Sequence, residues 1–311
     1  MAERLDLTEA QIKDFFTSLS NWGKWGPKDQ LGALNYITPE KRARAAGLVR
    51  EGKTVSLSLP LATTPSPDNP TPVVHLMMQT GELEEAQFPL PYSADYFAIA
   101  PHGLANTHLD ALCHVFYQGK MYNGYPAADV TVHGAKNGAI DAIKEGIVAR
   151  GVLLDIPRAK GKSWLEPKEA IFPKDLEAAE KAQGVQVEEG DILLVRAGRH
   201  ARIRALGAWD SFREGLAGLH ASCLPWLHER RIAAMGADGA SDLFPSGYEE
   251  VVAPIHLVTI VAMGVHLIDN CDLEAVSEAC AERSRWAFLL MIAPLVLHRG
   301  TASPVNPLAV F

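Results

Sequence analysis

Four short, almost wholly apolar runs constrain the fold of this chain more than any other feature: "GVLLDI" (151–156), "GDILLVRAG" (190–198), "IAAMGAD" (232–238) and "FLLMIAPLVL" (288–297). A strand with one wet face alternates apolar and polar residues, so a continuous apolar run means that both faces are covered. Segments with helical spacing separate these runs: "GAIDAIKEGIVA" (138–149), a charged stretch at 174–183, "CLPWLHERR" (223–231) and 253–263. Buried strands alternating with helices predict an α/β fold built on a mixed sheet. No long linker, repeat or low-complexity tract divides the chain, so a single domain is expected over residues 1–311.

The first fifty residues read as a helical arm packing on that body or on a partner subunit. Thr8 and Gln11 stand in capping-box spacing ahead of "IKDFFTSL", which predicts a helix over 7–19. Thr38 as N-cap, Pro39 at the first helical position and Gly52 as the stop predict a second. "TVSLSLPL" (54–61) alternates like a half-buried strand, and the Pro-, Thr- and Asp-rich stretch 62–74 reads as a loop.

Composition narrows the function classes. A formal charge of −8 argues against a nucleic-acid footprint, which needs concentrated basic surface. The one basic stretch, "RAGRHARIR" (196–204), reads as a solvated loop or helix face. No signal-peptide pattern opens the chain, and no apolar stretch is long and uninterrupted enough to span a bilayer. A cytoplasmic protein with four reduced cysteines and no membrane partner is the expectation.

The chemistry concentrates in "PHGLANTHLDALCH" (101–114), where three of the chain's 11 histidines flank an aspartate. His108 and Asp110 leave the same face of an extended segment, and Asp110 and His114 share a face if the chain turns. Imidazole nitrogen and carboxylate oxygen are zinc or manganese ligands, so this spacing predicts a divalent metal site with Asp110 placed to bridge two ions. Two readings outside metal hydrolysis stay open. The chain could bind a metal or ligand without catalysis, or Cys113 could act as a metal-free nucleophile with His108 or His114, although a buried packing role suits Cys113 better.

"THLDALCH" resembles the T-H-x-D-x-x-x-H signature of the cyclase-like metal-dependent hydrolases, the family of bacterial kynurenine formamidase and isatin hydrolase. "NWGKWGPKDQLGALNYITPEKRARAAGLVREGKTVSLSLPL" (21–61), "GVLLDIPR", "GDILLVRAG", "MGADGASD" and "SPVNPLAVF" are similar to further blocks of its longer members. The resemblance implies a barrel-like sheet flanked by helices, the cyclase-like swivelling β/β/α fold, and a homodimer or higher homo-oligomer. It also implies a metal-activated water that attacks a small amide, cyclic amide, N-formyl compound or lactone.

Carried over position by position, His108, Asp110 and His114 fall on the family's metal ligands. The shorter members have a further histidine four residues before the central one, where this chain has Leu104; His102, two residues earlier, can take that role through a longer loop. Downstream, "PIHLVTIVAMGVHLIDN" offers His256 as ligand or proton shuttle, and Asp269 as ligand or base where the family has glutamate. His266, in the same segment, reads as structural. Trp22 and Trp25 either anchor the arm or line the substrate cavity, in this chain or a neighbouring subunit. Phe116 and Tyr117, beside His114, are placed to wall a pocket for a flat ring.

Overall fold

The computed structural model describes residues 7–82 and 92–311; the opening residues 1–6, on which the expectation of no leader rests, lie outside them. A nine-stranded sheet organises the chain. Its strands are β1 (Thr54–Ser56), β2 (His108–Asp110), β3 (Ile147–Asp155), β4 (Ile192–Arg196), β5 (Ala234–Ala237), β6 (His266–Asp269), β7 (Ala287–Ile292), β8 (Ala302–Pro304) and β9 (Leu308–Val310). They lie in the order β1-β9-β7-β3-β4-β5-β6-β2-β8. The four central strands β3, β4, β5 and β6 run parallel, and every flanking pair is antiparallel. The sheet curls into a half-barrel whose two edges do not meet.

The four apolar runs supply β3, β4, β5 and β7, and the residues of the central strands, β6 included, alternate between two cores. Val152, Leu154, Leu193, Val195, Met235 and Leu267 pack on one face. Leu153, Ile192, Leu194, Ala234 and Ile268 pack on the other. Burial on both faces is why these strands lack the one-sided alternation of a wet sheet. A separate hairpin, Val74–Gln79 with Ala94–Ala98, stands off the body.

The arm begins as expected. Helix Glu9–Ser18 carries the capping box of Thr8 and Gln11. The helix opened by Thr38 and Pro39 ends earlier, at Ala46 with Gly47 as cap. Gly52 is instead a left-handed turn, where the amides of Glu51 and Gly52 both donate to the Phe311 carbonyl. Between these helices, Asn21 and Trp22 reach the end of a distant helix. The Asn21 amide donates to Ala262, its side chain to Met263, and the Trp22 indole to Val261. These carbonyls close the segment Pro254–Met263, α-helical to Leu257 and π-helical from Val258. The arm therefore satisfies carbonyls that a helix end leaves without partners.

Four further expectations are corrected. "GAIDAIKEGIVA" forms only a 3-10 turn, Ile140–Ile143, before Gly146 at positive φ redirects the chain into β3. The pull of a nine-residue buried strand outweighs the helical spacing. Only Thr54–Ser56 of "TVSLSLPL" is strand. The run 288–297 leaves the sheet after Ile292, because Pro294 has no amide for the ladder, and Leu295, Val296 and Leu297 are exposed. The basic stretch is not a solvated face. Arg196, Arg199 and His200 are buried, Arg196 pairing with Asp155 and Glu274 and Arg199 with Asp68. Among the described residues, no helix is long and apolar enough to cross a membrane.

Candidate metal centre

Strand pairing starts the site. Leu109 faces one core, so His108 and Asp110 leave the opposite face of β2. Asp269 of β6 stands in register with His108 and joins it on that face. A turn after β2, closed by the His114 amide on the Ala111 carbonyl, folds the next histidine back over Asp110.

Four imidazoles surround one carboxylate. His102 Nδ1 lies 3.0 Å from Asp110 Oδ1, and His108 Nε2 lies 3.5 Å from the same oxygen. His114 Nε2 and His256 Nε2 lie 3.9 and 3.8 Å from Asp110 Oδ2. His102 stacks on His114 with ring centroids 3.8 Å apart and meets His108 edge-on. The loop preceding β2 thus brings His102 into the cluster. Leu104, at the position that departs from the shorter relatives' pattern, packs instead against Trp209 and Leu216.

The histidines are oriented from behind. His108 Nδ1 donates to the Asn106 carbonyl at 2.8 Å, which turns the Nε2 lone pair toward Asp110. His102 Nε2 rests 3.2 Å from Thr301 Oγ1. His256 sits in the first turn after Pro254, and its Nδ1–H donates to Asp242 Oδ2 at 2.6 Å. The same carboxylate receives the amides of Ile255 and His256, so it caps this helix and aims the ring at once. His256 Nε2 then lies 3.1 Å from Asp269 Oδ2.

Asp242 is the residue that sequence reasoning missed. It lies in the quoted "MGADGASD" block, but no short-range spacing ties it to a histidine fourteen positions on.

Electrostatics follow from this geometry. Burial would raise the Asp110 carboxyl, but contact with His102 and the fields of His114, His108 and His256 outweigh it and hold the group at about 2. His114 is pushed down to about 4, chiefly by burial, and stays neutral at physiological pH. Burial also opposes charge on His256, yet Asp269 and Asp242 raise it well above the usual histidine range. Neither oxygen of Asp110 has a directed hydrogen bond, and His102 Nδ1 and Asp269 Oδ1 also lack one. A buried carboxylate without donors is costly in a finished protein, and a ring of imidazole lone pairs around it fits a divalent cation. Two sets have donor atoms close enough to share an ion: His102, His108 and Asp110, and Asp110, His256 and Asp269. Asp110 belongs to both.

Other expected residues lie elsewhere. His266 is buried in β6 and joins neither donor set. Cys113 is fully buried in the opposite core, its thiol raised to about 12 by burial, which removes the thiolate that a cysteine hydrolase needs. Among the described residues, Trp22, Trp25, Phe116 and Tyr117 do not line the cavity above the cluster. Trp22 packs on Gly124 and binds Val261, Trp25 meets Tyr36 edge-on, Tyr117 stacks on Phe16, and Phe116 is exposed. The two tryptophans anchor the arm, and Val115, the residue before Phe116, is the one that reaches the cavity.

A half-barrel of this topology with a His/Asp cluster on its curled face defines a class. The Cyclase family model matches residues 55–241, and the chain belongs to that family. A crystal structure of a novel cyclase is similar over 94% of this chain and 100% of its own, with 33% identity and a TM-score of 0.85. Isatin hydrolase A from Labrenzia aggregata, bound to benzyl benzoate, covers 85% of this chain and 94% of its own at 20% identity and TM-score 0.59. The Ralstonia solanacearum isatin hydrolase A gives 86%, 96%, 20% and 0.57. At such identities the isatin hydrolases speak for the fold. No curated protein sequence matches the chain.

Proposed function

We propose that the protein is a metal-dependent hydrolase that opens or cleaves a small amide, lactam or imide, N-formyl compound or lactone. One observation carries this reading: Asp110, buried and with neither oxygen in a directed hydrogen bond, faces four imidazoles at the floor of a cavity of about 480 Å³. The similarity to isatin hydrolases supports the reaction class. His102, His108 and Asp110 would hold one divalent ion, zinc or manganese, with Asp110, His256 and Asp269 offering a second position and His114 completing the ring. Such an ion lowers the pKa of bound water towards about 7 and polarises the carbonyl under attack.

The chain's own groups supply the rest. His108 is held in one tautomer by the Asn106 carbonyl, so its Nε2 needs no rearrangement to bind. Asp242 fixes the His256 ring; with only the first position filled, a proton on Nε2, 3.1 Å from Asp269, would sit where it can pass to a leaving nitrogen or oxygen.

Metal content and ring-opening measured together test this reading. Asp110→Ala is expected to lose bound metal and activity at once, while His266→Ala keeps its metal. Full metal occupancy in the Asp110 variant, or hydrolysis that survives exhaustive EDTA, would sink the assignment.

A further inference from the structure

We infer that the cavity selects substrates whose body beyond the reacting carbonyl is apolar and uncharged. The inference rests on the cluster being the reacting end, as proposed above. Leu104, Val115, Leu216, Phe244, Val252 and Leu257 form the wall above the metal centre. At the mouth, Phe212 stands edge-on to Phe244 at 5.9 Å and is itself largely exposed, as is Val252.

Among the described residues, every titratable side chain lining this space belongs to the cluster or is Asp242, which holds its His256, and no lysine or arginine lines it. Ser211 is the remaining polar one. Leu104 contributes to this character directly, because a histidine there would put a polar ring in the wall.

A substrate tail against this wall exchanges part of its water for contact with carbon. For an apolar ring that transfer is favourable; for a carboxylate on the tail it strips hydration with no lysine or arginine of the described wall to pair with. The nearest alternative lies in an adjoining space of about 320 Å³ beyond Phe212, where Arg213 is already paired with Asp210 at 3.3 Å. Phe212 lines both spaces, as do His102, Gly103, Leu104 and Ser211.

Two inert ketones of nearly one shape test this: benzophenone, and 4-benzoylbenzoate, which adds a carboxylate at the far end of one ring. Each is titrated calorimetrically into the metal-loaded protein. Benzophenone is expected to bind at least about ten-fold more tightly, the scale of one imperfectly compensated buried charge. Val252→Lys, at an exposed rim position, should narrow that ratio about five-fold or more by strengthening the anion, with metal content unchanged.

Equal or tighter binding of the carboxylate by the unaltered protein would overturn the inference, as would no binding of benzophenone. So would carboxylate binding that Arg213→Gln abolishes, since the tail would then lie in the adjoining space. The outcome separates from the functional reading, because the ketones are not hydrolysed. A protein that holds metal and prefers benzophenone but hydrolyses nothing refutes the reaction and leaves the selectivity standing.

Discussion

At the scale of residues, the unusual feature is a buried carboxylate left without donors while the side chains around it are carefully supplied with partners. That contrast assigns different tasks to neighbouring aspartates. Asp110 keeps both oxygens free of directed hydrogen bonds, and Asp242 orients His256 and caps its helix. Asp242→Asn keeps the size of the side chain but weakens its hold on the ring. Metal affinity, measured by competition with a chromophoric chelator, should fall about ten- to hundred-fold.

A second residue-scale prediction concerns pH. His200 is held down to about 3 by burial, with the charges of Arg199 and Arg204 adding to it. Its ordinary value is 6.5, so between these limits the unfolded chain takes up a proton that the folded chain refuses. This histidine therefore contributes nothing unfavourable above about pH 6.5 and destabilises progressively as the pH falls below it. The slope approaches about 1.4 kcal/mol per pH unit. Urea midpoints of the wild type and His200→Gln should converge or keep a constant gap above pH 7, and the variant should gain on the wild type from pH 6 to 5. A gap independent of pH would show that His200 titrates alike in the folded and unfolded chain.

At the scale of elements, His108, Asp110 and His114 were legible because strand and turn spacing put them on one face whatever the fold around them. His102 was legible only through its resemblance to the longer relatives, since a six-residue loop can deliver a side chain anywhere. Asp242 was not legible, because its contact with His256 exists only once β5 and the following helix are assembled. The central strands announced themselves as apolar runs. The flanking strands β2 and β8, three residues each, carry too little pattern to read.

Helix 138–149 failed for the opposite reason, a plausible period overridden by a sheet position. Gly264 shows how tightly the elements then close on one another. It ends the π-helical turn at φ 67°, and a Cβ there would come within 2.8 Å of the Tyr122 ring carbons. Gly264→Ala should cost about 3 kcal/mol in urea unfolding, from left-handed backbone strain and overpacking together. A loss under 1 kcal/mol would mean that the ring yields freely.

At the scale of the molecule, the sheet is buried on both faces, yet the hairpin Val74–Gln79 and Ala94–Ala98 exposes Leu76, Met77, Met78, Tyr96 and Phe97. A two-stranded ribbon is marginal in water on its own, and apolar side chains in such number usually meet a partner. We propose that this partner is a second copy of the chain. Sedimentation equilibrium is expected to give at least twice the 33.7 kDa of one chain. Met78→Lys with Phe97→Lys should shift the mass towards the monomer, and a wild-type monomer would refute the proposal.

The arm's grip on Val261, Ala262 and Met263 has a mechanical consequence. His256 projects from the first turn of the segment whose last carbonyls Asn21 and Trp22 hold, so the two ends of one short rod are fixed by distant parts of the chain, Asp242 at one and Asn21 with Trp22 at the other, roughly as a beam is fixed at both supports. Loosening the arm at Trp22 would therefore release the far end of the segment that carries His256.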